Sequence, residues 1–469
     1  MPVHSSFLQN KIVMINLYLI IPFSFKKLIA QINKLTACAC VGINLFTGAS
    51  QSFALANQWH SGSPAGPVIV AGTAGNDAIF TDPLGGGAYA AINTSTGDDT
   101  LTFGATASNL PAAVTGTAFI IFGGNGTAFI DGDIVATDPT DDGIHATLGS
   151  LDVTISGTGS ILANDIGLTG IDINLDNSGL VDAATGNAVG ATGNAIVTNS
   201  GTINGGTSGV IANIDAFIDN SGTIDATGDG VAALNNLDLT NSGTISGGNI
   251  GANALMDAVI DNSGDITGGN TGINVSNDLV LLTNHVGATI TGTTFNGIFV
   301  IGNTAIIDNS GSITGNTNGI FLIVGNGLDL TNNAGGIIIG TNADGVFAID
   351  TAIIDNSGSI TGNDDGVDVG ETLTLTNNAG GTITGLNGHG IEAGSTATIT
   401  NGGNIIGDDD GVNVTADLTL VNNATGVIIG ATLDGVHATT GTTITNGGAI
   451  DGNANGLNIE GDLDSVVTR

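Results

Sequence analysis

Three short segments late in the chain hold the residue types from which hydrolytic or metal chemistry is built. They are Asn363-Asp364-Asp365-Gly366, Gly388-His389-Gly390 and Asp408-Asp409-Asp410-Gly411. Two carboxylates held a few ångströms apart can serve as acid and base on a glycosidic bond. The same kind of oxygen cluster suits calcium, which gathers about six to eight oxygen ligands. Asp344 and Asp434 occupy equivalent places, so the candidate ligands for calcium are Asp364, Asp365, Asp409, Asp410 and Asp434. The competing expectation is an acidic turn edge solvated by water and counterions. His60, His145, His285 and His437 stand alone in the sequence. No nucleophile–base pair is identifiable, and with 77 glycines a phosphate-loop match would carry no meaning.

The spacing of these segments exposes what must position them. Each ends on a glycine of a long column: Gly209, Gly230, Gly251, Gly272, Gly297, Gly319, Gly345, Gly366, Gly390, Gly411, Gly435 and Gly456. A second column alternates with it: Asn177, Asn199, Asn220, Asn241, Asn262, Asn284, Asn309, Asn332, Asn356, Asn377, Asn401, Asn422 and Asn446, at gaps of 21 to 25. Before nearly every Asn, positions −4 and −2 are apolar. After it an Ile or Val follows, usually at +4 (Ile203, Ile313) and at +6 in longer coils (Ile338, Ile383). After each Gly, +1 and +3 are apolar. Alternation of this kind predicts short strands with one buried face. No helical periodicity follows residue 57.

Three strands in about 22 residues close no core alone, whereas stacked coils do, at about 4.8 Å per coil. The thirteen Asn turns predict a rod of roughly 60 Å. Position −4 supports stacking, because Ala305, Leu328, Ala352, Leu373, Ala397 and Leu418 alternate small with large. The expected fold is all-β: a right-handed, single-stranded parallel β-helix over residues 143–469. The Asn column is then a structural ladder whose carboxamides bond between coils and satisfy turn backbone. The Asp and His segments share one turn slot, where other coils read T-N-G, A-D-G, L-D-G and A-N-G, so turn variation accounts for them. Position +2 after each glycine points outward and reads Asn274, Phe299, Phe321, Phe347, Asp368, Glu392, Asn413, His437 and Asn458. Phe299, Phe321 and Phe347 are thus either a stacked ladder or a contact patch.

Charge narrows the function. The basic residues are Lys11, Lys26, Lys27, Lys34 and Arg469, and all 42 acidic residues follow residue 56. Residues 57–469 therefore carry 42 acids against one arginine, a formal −41. Such a surface repels nucleic acid and anionic membranes. A hydrophobic content of 41% and positive mean hydropathy argue against disorder. Cys38 and Cys40 precede the acidic region, so no disulfide or thiolate site serves the repeats.

Lys26-Lys27 to Lys34, the apolar run Leu35–Phe46 and Ala54-Leu55-Ala56 together follow the layout of a secretory signal, which predicts cleavage after Ala56. Residues 1–56 are read as that signal; a second apolar run, Ile12–Phe25, either extends it or reflects a start upstream of a true one at Met14. Sec translocon and signal peptidase are then partners during export. Residues 57–142 fit the repeat poorly and are expected to be irregular coils or a cap. There, Gly75-Asn76-Asp77 and Gly97-Asp98-Asp99 look like halves of a calcium-binding nonapeptide.

Repeats with D-N-S-G or T-N-S-G beside G-x-I-x-G resemble the passenger domains of bacterial autotransporters and related β-strand-repeat surface proteins, over about residues 143–468. The resemblance implies a secreted or surface-exposed scaffold, adhesive or structural, that contacts a host, matrix or cell-surface glycan or protein. It also implies an outer-membrane β-barrel transporter. No such barrel pattern closes this sequence, which ends inside a coil at Ser465–Arg469, so a missing or separate transporter is expected. The Asp pairs and G-H-G also resemble elements of polygalacturonases. Those enzymes hold their anionic sugar with a basic pair that this region lacks, so the expectation is no catalytic residue. A glycan-active enzyme and a calcium-stabilised repeat protein remain the alternatives.

Overall fold

The structure is a computed structural model that describes residues 56–60, 68–71, 77–81, 89–93, 99–103, 120–136, 142–323, 325 and 327–468. The signal segment, with its cysteines and apolar runs, lies outside the described residues up to Leu55. So do Gly75, Asn76, Gly97 and Asp98 of the nonapeptide-like motifs.

The described chain forms 52 short strands and no helix. They build three parallel sheets of 19, 15 and 18 strands. One coil shows the plan. Ala352–Asn356 lies in the first sheet, Ser359–Gly362 in the second and Val367–Val369 in the third. Each pairs in parallel with its equivalents one coil away, so Asn356 registers with Asn332 and Asn377, and Gly362 with Gly340 and Gly385. The molecule is a parallel β-solenoid with three strands per coil.

Buried positions alternate as the apolar pattern requires. Ala352 and Ile354, Ile360, and Val367 and Val369 are all at most 1% exposed, and the coils share one continuous core from Leu101 to Ile444. The small–large alternation at −4 extends further than size. Strands opening with Leu (Leu328, Leu373) carry Leu at −2, and those opening with Ala (Ala305, Ala352) carry Ile. From residue 279 onward, the longer Asn turn also follows the Leu strands. Gly287, Gly335 and Gly380 sit in three of these turns with φ of 85°, 88° and 93°, a conformation that L side chains resist. From Ala216 to Leu418 the period is therefore two coils.

The glycine column answers to crowding instead. A Cβ on Gly366 would lie 2.6 Å from the Gly390 carbonyl oxygen and 2.7 Å from Ile383 Cγ2. Equivalent glycines meet the next coil's glycine in the same way. The corner between second and third sheets is too tight for a side chain.

Within 57–142 the strands join the same stack. Ala56–His60, Asp77–Thr81, Asp99–Phe103 and Gly126–Ile130 extend the first sheet, and Val68–Ala71, Tyr89–Asn93 and Ile120–Phe122 extend the third. The second sheet begins, among the described residues, at Asp133–Val135. Asp77 and Asp99 open strands in adjacent coils. At the far end Leu463–Thr468 pairs with Thr442–Asn446.

Candidate functional site

The asparagine column is where the chain places most of its buried polarity. Asn177 through Asn422 are at most 1% exposed, and Asn446 is half-buried. Each Nδ2 donates to the Oδ1 of the next Asn at 2.8 or 2.9 Å, without a break from Asn177 to Asn446. The same Nδ2 lies near carbonyls of its own turn and of the next coil. For Asn356 these are Gly358 at 3.3 Å and Thr382 at 3.2 Å. Its Oδ1 also accepts the Gly358 N–H at 3.2 Å. These side chains are committed to stacking.

A second ladder runs through the slot before the turn glycines from Gly297 to Gly435. The Asn318 N–H donates to Asn296 Oδ1, Asp344 N–H to Asn318 Oδ1 and Asp365 N–H to Asp344 Oδ1, at 3.2, 2.9 and 3.1 Å. The series continues with His389 N–H to Asp365 Oδ1 at 2.5 Å, Asp410 N–H to His389 Nδ1 at 3.2 Å and Asp434 N–H to Asp410 Oδ1 at 2.8 Å. Along this run the slot residue serves as an acceptor, which explains why Asn, Asp and His interchange, while the earlier coils also admit Ile250. This ladder corrects the expectation of a solvated edge: Asp344, Asp365, Asp410 and Asp434 are 8, 6, 3 and 6% exposed. The sequence signal was the recurring acceptor-bearing residue before glycine. Acidity drew attention to it, but acceptance is what the slot selects.

Where this slot meets the outward column, carboxyl groups crowd together. Asp368 registers with Glu392 on the next coil, and Phe347 stands in register on its other side. Burial pushes the Asp344 carboxyl up to about 6, against the Asp365 N–H it accepts, with Asp364 and Glu392 adding repulsion. Burial likewise raises Asp365 to about 8, despite the His389 N–H, with Glu392, Asp344 and Asp364 pushing the same way. Asp368 is raised to about 7 by burial, then by Glu392, Asp344 and Asp364. Such carboxyls hold protons near neutrality or take a cation in their place.

Two overlapping ligand sets exist among the described residues. Asp365, His389 and Glu392 form one, and Asp344, Asp364 and Asp365 the other; in each, one ligand atom per residue lies within 4.8 Å of the rest. The second set offers oxygen alone, as calcium requires. The first adds imidazole, which suits zinc and its neighbours. Of the five candidate ligands, the structure brings together Asp364 and Asp365. Asp410 belongs to the acceptor ladder, Asp434 Oδ1 and Oδ2 accept Asn455 and Asn458 Nδ2 at 2.8 and 2.7 Å, and Asp409 Oδ1 accepts Thr432 Oγ1 at 3.1 Å. His389 joins them from the same turn slot, and Glu392, which lies in the outward column, is the contributor that the reading of the slot alone missed.

Phe299, Phe321 and Phe347 register on successive coils and are half-buried. Their centroids lie 5.5 and 4.9 Å apart with interplanar angles of 12° and 32°, an aromatic stack along the coils. His285 and His437 find carboxylates on a neighbouring coil, and His145 finds one three residues earlier. His145 Nδ1 lies 3.0 Å from Asp142, His285 Nε2 2.6 Å from Asp261 and His437 Nε2 3.5 Å from Glu460. His60 lies in a strand whose side chains are not described.

Comparison with known proteins adds no relative: no family model, curated protein or solved structure matches the chain. Fold and site together define a parallel β-solenoid whose conspicuous polar columns are bonded between coils.

Proposed function

We propose that this protein is an exported scaffold, similar in kind to autotransporter passengers, that works by contact rather than catalysis. The observation that carries the reading is the double ladder. The two side-chain columns most able to do chemistry each hydrogen-bond the neighbouring coil, and so serve stacking. What remains for function is the outer surface, strongly acidic and repeated coil by coil. The sequence's signal layout supports export through the Sec translocon to the periplasm, and outward if a β-barrel transporter is supplied.

The test is twofold. Protein recovered from the secreted or surface fraction should begin at Asn57, and purified protein should adhere to matrix or cell-surface glycan or protein without releasing reducing sugar. An intact residue 12–50 segment on cytoplasmic protein would defeat the export argument. Sugar release from acidic or neutral glycans would move the reading to a polygalacturonase-like enzyme.

A second reading, cation stabilisation of the repeats, is favoured by the two ligand sets around Asp365. Calcium, zinc or manganese added to EDTA-treated protein should then raise Tm, and Asp365→Asn should abolish the increment. Equal melting with and without each ion would remove this reading.

A further inference from the structure

The outer face of the first sheet carries two adjacent columns whose pattern the fold does not require. Nearest the ladder, threonine and aspartate alternate from Thr154 to Asp355, with acids at Asp176, Asp219, Asp261, Asp308 and Asp355. Two residues earlier on the strands stands an apolar column, Ile196, Phe217, Val259, Leu281, Ile306 and Ile353, between 38 and 57% exposed. Asp238 and Asp329 interrupt it. Both patterns stop at the same strand. Beyond Ile353 and Asp355 the two columns read Thr374 and Thr376, Thr398 and Thr400, then Thr419 and Val421, although the inward residues continue unchanged. Threonine therefore satisfies the fold at these places, and the earlier coils carry something additional.

Spacing and charge say what fits. Acids two coils apart are about 9.6 Å apart, while one heptad of α-helix rises about 10.5 Å. Across the five acids the slip is about 4 Å, within the reach of a flexible lysine or arginine stem. The carboxylates are also oriented: Asp261 Oδ1 meets His285 Nε2, Asp308 Oδ1 accepts Asn333 Nδ2 and Asp355 Oδ1 accepts Asn378 Nδ2. With no Lys or Arg between residues 35 and 468, a second copy, a nucleic acid or an anionic membrane is repelled. We propose that this face docks a cationic amphipathic α-helix lying along the stack, its seventh-residue Lys or Arg side chains on the aspartates and its apolar face on the adjoining stripe. The proposal rests on the contact-scaffold reading and names its partner class.

The probe is a synthetic peptide of about four heptads, with Lys at every seventh position beside a Leu/Ala face. A scrambled peptide of equal composition is the control. Titrated into the whole protein at about 0.15 M salt, the ordered peptide should bind at least tenfold tighter than the scrambled one and gain helical circular dichroism. Combined Asp219→Thr, Asp261→Thr, Asp308→Thr and Asp355→Thr should weaken it at least tenfold, as should combined Ile196→Thr, Val259→Thr, Ile306→Thr and Ile353→Thr. Melting curves confirm that these variants fold, and single substitutions replace any combination that does not. Equal binding of the two peptides, unchanged binding to folded variants, or binding without helix gain overturns the proposal. Matrix adhesion is measured in parallel. Adhesion without peptide binding overturns this partner class alone, whereas absence of both also overturns the scaffold reading.

Discussion

Replacing Asn356 by alanine removes one rung from the middle of the ladder, and the structure fixes what is lost. Asn377 Oδ1 loses its donor at 2.8 Å, whereas the buried Gly358 N–H loses Asn356 Oδ1 but keeps the Asn332 carbonyl at 3.2 Å. Asn332 Nδ2 loses its shortest partner but keeps the Gly336 and Ser359 carbonyls, both at 3.3 Å, so it is weakened rather than stranded. One buried acceptor is therefore stranded, at a cost of about 1–3 kcal/mol. Because coils contact only their neighbours, the loss is local before it is global. Hydrogen exchange should show protection falling by one to two orders of magnitude around residues 332–382, with Tm lowered. Asn446→Ala, at the half-buried end, should do much less. Unchanged exchange and melting for Asn356→Ala would refute the claim that the ladder's amides are buried and mutually dependent.

Glycine substitutions separate crowding from conformation: Gly335→Ala should cost about 1–2 kcal/mol for its φ of 88°, and Gly366→Ala more, because its Cβ meets backbone at 2.6 Å. Equal melting of the two variants would deny the tight corner. Asp344, Asp365 and Asp368 have folded values raised above 3.8, so their contribution is fully present below about pH 4 and is lost as pH rises through about 6 to 8. In metal-free buffer stability should fall by on the order of 2–4 kcal/mol between pH 5 and 8.5, and Asp368→Asn should flatten the profile; a flat parent profile counts against the cluster. Replacing Phe299, Phe321 and Phe347 together by Thr should keep β-rich circular dichroism while lowering stability by about 1–3 kcal/mol. Unchanged adhesion in that variant would leave the stack a purely structural feature.

The solenoid was legible because its two determinants are one-dimensional. Alternation marks strands, and the Asn and Gly columns mark turns, so counting recovers the coil. Asn356 and Gly366 could be assigned to ladder and corner without coordinates. What counting could not recover is what one coil does to the next. The slot before the glycine looked acidic and solvated, because Asp344, Asp365, Asp410 and Asp434 are charged types. Its burial follows from the neighbouring coil's N–H groups, whose positions depend on stacking geometry. Glu392 and His389 joined the Asp365 cluster for the same reason: their partners lie 21 to 27 residues away. His285 and His437 likewise looked solitary until the coils were placed.

The two-coil period links these levels. Leu strands pack large side chains at −4 and −2, and the Ala strands between them leave room, so the core alternates in volume. On the outer face of the strands from 216 to 356, the same alternation places Asp next to Thr rather than next to Asp, which keeps like charges from facing directly across strands. A chain with 42 acids and almost no base could not stack identical acidic coils at about 4.8 Å without accumulating repulsion. Around Asp344, Asp365, Asp368 and Glu392 that separation fails: acids occupy consecutive coils, and their repulsion adds to the burial that raises the three aspartates. Among the described residues, a proton or divalent cation should therefore bind at these coils first.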